Sequence, residues 1–266
     1  MPTHIHSTAI IDPSAELGAD VQVGPYTVIG PDVQIGDGTW IDSHVSLDGP
    51  LVLGRECRIY SFASIGKAPQ DFKYAGGDNG VAIGDRCQIR EYVTIHRSTH
   101  EGAVTTLGDD CFLLAYCHVA HDCTIGSGVI MSNGFTVAGH VTMGDRVVCG
   151  GLGGVHQFTR IGAMAMISAM CKVVQDVMPF CLVDGNPASL VAVNRIGLER
   201  NGKPQETVAV VTRAYKTLFR SGLLRDQAIQ QVRAESGDVP EVQEMLAFLE
   251  GDSDRGITAA HSGRRR

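Results

Sequence analysis

The sequence predicts a mainly β protein: a parallel β-helix, a solenoid of short strands that buries one stripe per strand inside a prism, followed by a small α-helical domain. Three observations predict it. Branched aliphatic residues recur every six positions over most of the chain. Glycine is in excess, 32 of 266 residues, against a usual share of ~7%. After about Val183 the hexads stop and apolar residues fall at spacings of three and four, the period of a helix.

The hexads begin at Ile11 and run through Leu17, Val23, Ile29, Ile35, Ile41, Leu47, Leu53, Ile59 and Ile65. They resume in phase at Ile83, Ile89 and Ile95, and again from Leu107 to Val173. Glycine or aspartate follows most of them, as tight turns require. Two residues before each aliphatic lies a second apolar register, and Cys57, Cys87, Cys111, Cys117, Cys123 and Cys171 occupy it. Cysteine is a compact, readily buried hydrophobe, so these are expected to be structural thiols rather than disulfides or ligands. Three hexads make one coil of 18 residues.

Two stretches interrupt the pattern, near 67–82 and 97–106. Both are polar and contain glycine, and both read as loops leaving the prism; the second is expected to be an idle surface loop. The β-helix is assigned to 1–186 and the helical domain to 187–254. The main helix carries Val208, Val211, Ala214, Tyr215, Leu218 and Phe219, with Pro204 before it and Glu206 in its first turn. Two more helices are expected near 224–236 and 239–250, and a flexible tail over 255–266.

The net charge of −7, from 22 basic and 29 acidic residues, argues against nonspecific nucleic-acid binding. No run approaches the ~18 apolar residues of a membrane span, and the start lacks a basic, apolar leader. A cytoplasmic chain is expected.

Ten histidines are present. His4, His6, His44, His100 and His261 have no evident companions and are expected to face solvent. His96, His118, His121, His140 and His156 lie in the middle coils. Residues 18 apart stack along the axis, one strand spacing of ~4.8 Å apart. That places His121 over Gly139 and Gly139 over Gln157, with Asp122 over His140. A neutral imidazole near pH 7 takes a proton from a hydroxyl. A nearby glycine lets a backbone N–H approach a developing oxyanion. No serine or cysteine pairs with a histidine, which favours direct transfer over a covalent intermediate. Pairing of Asp122 with His121 requires a local turn, since adjacent strand residues face opposite sides.

The hexads resemble those of the hexapeptide-repeat transferases, whose coils are left-handed. The segment His118-Val119-Ala120-His121-Asp122-Cys123 is similar to the active-site stretch of the UDP-N-acetylglucosamine O-acyltransferases that begin lipid A synthesis. So are Ala138-Gly139-His140, Gly154-Val155-His156-Gln157-Phe158, Thr94-Ile95-His96-Arg97, and the loop Gln70-Asp71-Phe72-Lys73-Tyr74-Ala75-Gly76. Asn194 with Gly197-Leu198-Glu199-Arg200 matches part of that family's nucleotide motif. The resemblance implies transfer of an (R)-3-hydroxyacyl group from acyl carrier protein to the 3-hydroxyl of UDP-N-acetylglucosamine, in a homotrimer and without cofactor or metal. His121 would be the general base, Asp122 its partner and the Gly139 N–H the oxyanion donor. Gln70, Asp71 and Lys73 would hold the sugar and phosphates across a subunit boundary. His118, His140, His156 and Gln157 would line the cleft, and Asn194 and Arg200 would contact the nucleotide end. Ala169 would limit acyl length, with Met166 and Met170 beside it. Apart from the resemblance, Arg213, Lys216 and Arg220 recur at helical spacing and read either as a docking face for the acidic carrier protein or as a solvated helix face.

The sequence departs from the family at Pro187, Ile196 and Gly134-Phe135. Competing readings are transfer to the 3-amino sugar, a zinc carbonic anhydrase-like protein using His118 and His121, and a purely structural β-helix.

Overall fold

A computed structural model describes residues 3–260. Its strands form three sheets of eleven, nine and eight strands, in each of which a strand pairs with the one a coil later. Val28 pairs with Ser46 and Ile29 with Leu47, the 18-residue register expected. All pairings are parallel except that of Cys181–Gly185 with Ala188–Val193, the hairpin that ends the eleven-strand sheet.

Each coil segment repeats one local logic. The hexad aliphatic points inward and is buried, as at Ile29, Leu47, Ile59 and Val119, while the residue before it faces out. The position two before is also buried and serves as a polar pin where it carries a donor. Thr27 Oγ1 donates to Asp42 O at 2.6 Å and Cys57 Sγ to Gly84 O at 3.2 Å. All eight cysteines are buried and free. Phe135 points into the core, and a side chain on Gly153 would come within 2.8 Å of its ring. The Gly134-Phe135 departure is therefore a packing feature.

Corners are turned by a residue in the left-handed region, such as Tyr26 (φ 58°), Asp110 (φ 56°) and Asp122 (φ 59°). That conformation costs an L-residue ~1–2 kcal/mol, and side-chain bonds to the turn offset it; Asp145 Oδ1, for example, accepts from Ser127 N at 2.8 Å. Along one corner Tyr26, His44, Phe62, Tyr92 and Tyr116 stack at 4.9–5.1 Å between ring centroids. His44, expected to be solvent-facing and alone, is a rung of this ladder.

The two loops leave the same corner, between the nine- and eight-strand sheets. Strand Ser64–Lys67 leads into the first and Gly80–Ile83 follows it; Thr94–His96 leads into the second and Val104–Leu107 follows. Register records both: Arg58 pairs with Gln88, 30 residues on, and Thr94 with His118, 24 on.

Among the described residues four helices cap the far end of the solenoid: α1 (Arg195–Arg200), α2 (Gln205–Arg220), α3 (Arg225–Ser236) and α4 (Pro240–Glu250). Three lie where helical spacing predicts; α1 is too short to show a period. The β architecture continues past 186, since Ala188–Val193 belongs to the sheet. The expected tail is corrected in part. Residues 255–260 return to the solenoid, where Asp176 N donates to Gly256 O and Thr258 N to Asp176 O, both at 2.8 Å. His261 and the rest of the expected tail lie outside the described residues.

Candidate active site

At the corner where both loops leave, the strand His118–Val119 runs into a turn that brings His121 and Asp122 together. The positive φ of Asp122 supplies the local turn their pairing needs. His121 Nδ1–H donates to Asp122 Oδ2 at 2.7 Å, which leaves Nε2 as the basic atom. The ring lies over Gly139, as the 18-residue stack predicts. A Cβ on residue 139 would meet His121 Cε1 at 2.5 Å and Nε2 at 2.8 Å, so only glycine fits beneath the imidazole. The N–H of Gly139 has no acceptor among the described residues. A basic nitrogen thus sits beside an unengaged backbone donor, the pairing an acyl transfer needs.

Asp122 is nearly buried, and the second loop holds it there. Ser98 Oγ donates to Oδ1, Thr99 Oγ1 to Oδ2 at 2.6 Å, and Thr99 N to both oxygens at 3.2 Å. Burial opposes ionisation, but the bonds from Ser98, Thr99 and His121 outweigh it and hold the carboxyl well below the usual range. The loop expected to be idle is therefore part of the site. Sequence reasoning missed Ser98 and Thr99, whose only signal was two hydroxyls in a loop one coil before Asp122.

The neighbouring histidines are kept neutral. Burial, with His96 and His121 nearby, pushes His118 down to about 4, and its Nδ1 lies 2.7 Å from Thr94 Oγ1. Burial also lowers His96 and His140. The His140 ring stands edge-on to His121 at 5.2 Å and stacks on Phe158 at 4.6 Å, with Nε2 3.6 Å from Asp122 Oδ2. His100 is not alone either; its ring lies 5.7 Å from that of His140. His156 and Gln157 are exposed one coil beyond Gly139. In the first loop Asp71 acts electrostatically on His140 of its own chain, while Gln70 and Lys73 stand exposed.

The remaining residues lie elsewhere. Asn194 and Arg200 border a groove of about 1030 Å³ on the outer face of the eleven-strand sheet, with Met166, Val148, Arg146 and the exposed Ile196. Both ends of the Asn194 amide are used within the chain: Oδ1 caps Gly197 N and Nδ2 donates to Met164 O. Ala169 and Met170 are exposed at the corner between the eleven- and nine-strand sheets. They lie about three coils, or ~14 Å, along the axis from the coil that carries His121. Of the basic residues on α2, Arg213 and Lys216 face solvent beside Arg195 at a cleft of about 400 Å³. Arg220 instead reaches the carbonyls of Leu190 and Val191, both at 3.5 Å.

His118 and His121 do not form a three-ligand metal set. Among the described residues that geometry falls to His100, Asp122 and His140, within 4.8 Å of one another, where Asp122 is already engaged by Ser98, Thr99 and His121. Among the described residues no helix is long and apolar enough to cross a membrane.

A hexad solenoid with a histidine–aspartate pair over a glycine N–H defines a hexapeptide-repeat acyltransferase. Residues 105–134 match the family described as bacterial transferase hexapeptide (six repeats), and 176–258 match UDP N-acetylglucosamine O-acyltransferase, domain 2. The chain is 47% identical over 258 residues to the acyl-[acyl-carrier-protein]–UDP-N-acetylglucosamine O-acyltransferase of Janthinobacterium sp. (strain Marseille), covering 95% of this chain and 98% of that one. It is 48% identical over 254 residues to the same-named protein of Thermodesulfovibrio yellowstonii, with the same coverage. The structure of LpxA from Acinetobacter baumannii superposes with a TM-score of 0.91 at 43% identity, over 96% of this chain and 99% of that one. The chain belongs to the UDP-N-acetylglucosamine O-acyltransferase family, and its solenoid is the left-handed parallel β-helix.

Proposed function

We propose that the chain transfers a 3-hydroxyacyl group from acyl carrier protein to the 3-hydroxyl of UDP-N-acetylglucosamine, the first step of lipid A biosynthesis. The observation that carries the mechanism is His121, oriented by Asp122, lying over the unengaged Gly139 N–H. His121 Nε2 takes the hydroxyl proton as the oxygen attacks the thioester carbonyl. The Gly139 N–H donates to the oxyanion. The C–S bond then breaks, and the proton passes from His121 to the leaving thiolate. No enzyme nucleophile is needed; every cysteine is buried.

His118 and His140 flank this centre, Asp71 acts on His140, and His156 and Gln157 lie one coil on; with Gln70 and Lys73 of the first loop they are assigned the sugar and its phosphates. The nucleotide groove with Arg200 lies on another face of the prism, so one chain cannot close a site around a single acceptor. A homotrimer with closed threefold symmetry sets the groove of one copy against the His121 corner of the next. Met166, Ala169 and Met170 border the same seam and limit acyl length. Arg195, Arg213 and Lys216 receive the acidic carrier protein, while Arg220 braces the helix. On this reading the chain is assigned to the cytoplasm.

The test is purified chain with UDP-N-acetylglucosamine and a panel of 3-hydroxyacyl carrier proteins, read by mass spectrometry. An ester product is expected. Selective turnover of the 3-amino sugar would assign amide formation instead, and no transfer to either sugar would refute the reading.

A further inference from the structure

We infer that Arg255, on the C-terminal segment that straps back onto the solenoid, binds the phosphate of the donor's pantetheine arm; this rests on the acyl-transfer reading above. The strap is fixed by backbone bonds to Asp176 from Gly256 and Thr258, and Gln175 Nε2 donates to Arg255 O at 3.4 Å. It sets the half-buried Arg255 side chain against the site corner. Arg255 Nε donates to Gln157 O at 2.8 Å, and the guanidinium carbon lies 5.9 Å from the Phe158 ring centre. Phe158 is the ring stacked on His140.

One edge of the guanidinium is thereby aimed, and its two terminal nitrogens have no acceptor among the described residues. Asp252 and Asp254 precede it on the strap, but neither forms an ion pair with it. The contrast is Arg160 nearby, whose Nε is paired with the buried Asp176 at 2.7 Å. An oriented, unneutralised guanidinium fork is suited to a phosphate. The exposed His156 shares the same carbonyl, its Nδ1 lying 3.1 Å from Gln157 O.

Position selects the donor's phosphate over the acceptor's. Gln157 lies one coil beyond Gly139, a step of ~4.8 Å along the axis toward the helical domain. That is the end where Arg195, Arg213 and Lys216 stand. A carrier protein docked there threads its arm past Arg255 to reach Gly139, and the arm places two amide units between phosphate and thioester, longer than this step. The nucleotide groove is on another sheet.

The test compares two small donors, 3-hydroxyacyl-phosphopantetheine and 3-hydroxyacyl-pantetheine, with UDP-N-acetylglucosamine as acceptor. Wild type should prefer the phosphorylated donor by about tenfold or more in kcat/KM. Arg255→Ala should bring that ratio close to one, and Arg255→Lys should retain part of it. Calorimetry with phosphopantetheine alone should show the same loss without relying on turnover. An unchanged ratio in Arg255→Ala, or a rise in KM for UDP-N-acetylglucosamine with the ratio intact, would overturn the proposal. Inertness of wild type toward both donors and toward the acyl carrier protein would instead refute the transfer reading.

Discussion

In the proposed reaction His121 is the base, and its environment is built from opposed choices. Asp122 is held ionised by hydroxyl and amide donors, while His96, His118 and His140 are held neutral by burial. Positive charge therefore does not accumulate around the base. His121→Ala should lower kcat by the ~10²–10⁴ usual for a lost general base, with an unchanged circular dichroism spectrum. Replacing Ser98 by Ala and Thr99 by Val should weaken the grip on Asp122. Each bond to a charged group is worth about 1.5–3 kcal/mol, and kcat should fall by about tenfold or more with KM for the donor little changed. His118 gives a test of stability. Its folded value of about 4 lies below the ordinary 6.5, so between those pH values the unfolded chain binds a proton that the folded chain does not. Stability should fall as pH drops through that window, by at most about 1.4 kcal/mol per pH unit from this residue. Asp122, whose ordinary value is 3.8 and whose folded value lies lower, adds to the slope only at the acid end of that window. His118→Asn should flatten the pH dependence measured by denaturant titration between pH 6.5 and 4.

The strands were legible because a solenoid writes its geometry locally. One inward aliphatic per six residues fixes both the face and the 18-residue stack, so the placement of His121 over Gly139 followed from counting. The loops and the strap were not, because their roles depend on contacts across the fold. Ser98 and Thr99 are ordinary loop residues until the chain returns at Asp122, 23 or 24 positions later. Arg255 meets Gln157 across a separation of 98, and nothing in a polar C-terminal stretch announces that return. Helix α1 escaped for a different reason: six residues are fewer than two turns and show no period. The acyl-length assignment belongs to this scale as well. Ala169 is exposed at a corner, so Ala169→Met adds bulk without overfilling the core. At ~0.8 kcal/mol per buried CH₂, the variant should move donor preference to shorter 3-hydroxyacyl chains in a competition assay. An unchanged length profile would shift the role to Met166 or Met170.

At the scale of the whole molecule, the prism separates what the reaction must unite. The proposed base stands at one corner, and the groove proposed for the nucleotide lies on the face of a different sheet. Sedimentation should therefore find a trimer of about three times 28.3 kDa, and a fully active monomer would refute the arrangement. In the proposed trimer His121 of one copy acts on an acceptor gripped by the neighbour's Arg200. The most direct test is subunit mixing. His121→Ala and Arg200→Ala chains are prepared separately, each with low turnover at limiting UDP-N-acetylglucosamine, then denatured together and refolded as mixed trimers. A quarter of the sites should then combine an intact base with an intact neighbouring groove, restoring about a quarter of wild-type activity in a closed threefold ring. Activity no higher than the mean of the two variants would contradict the account and place base and groove in the same chain.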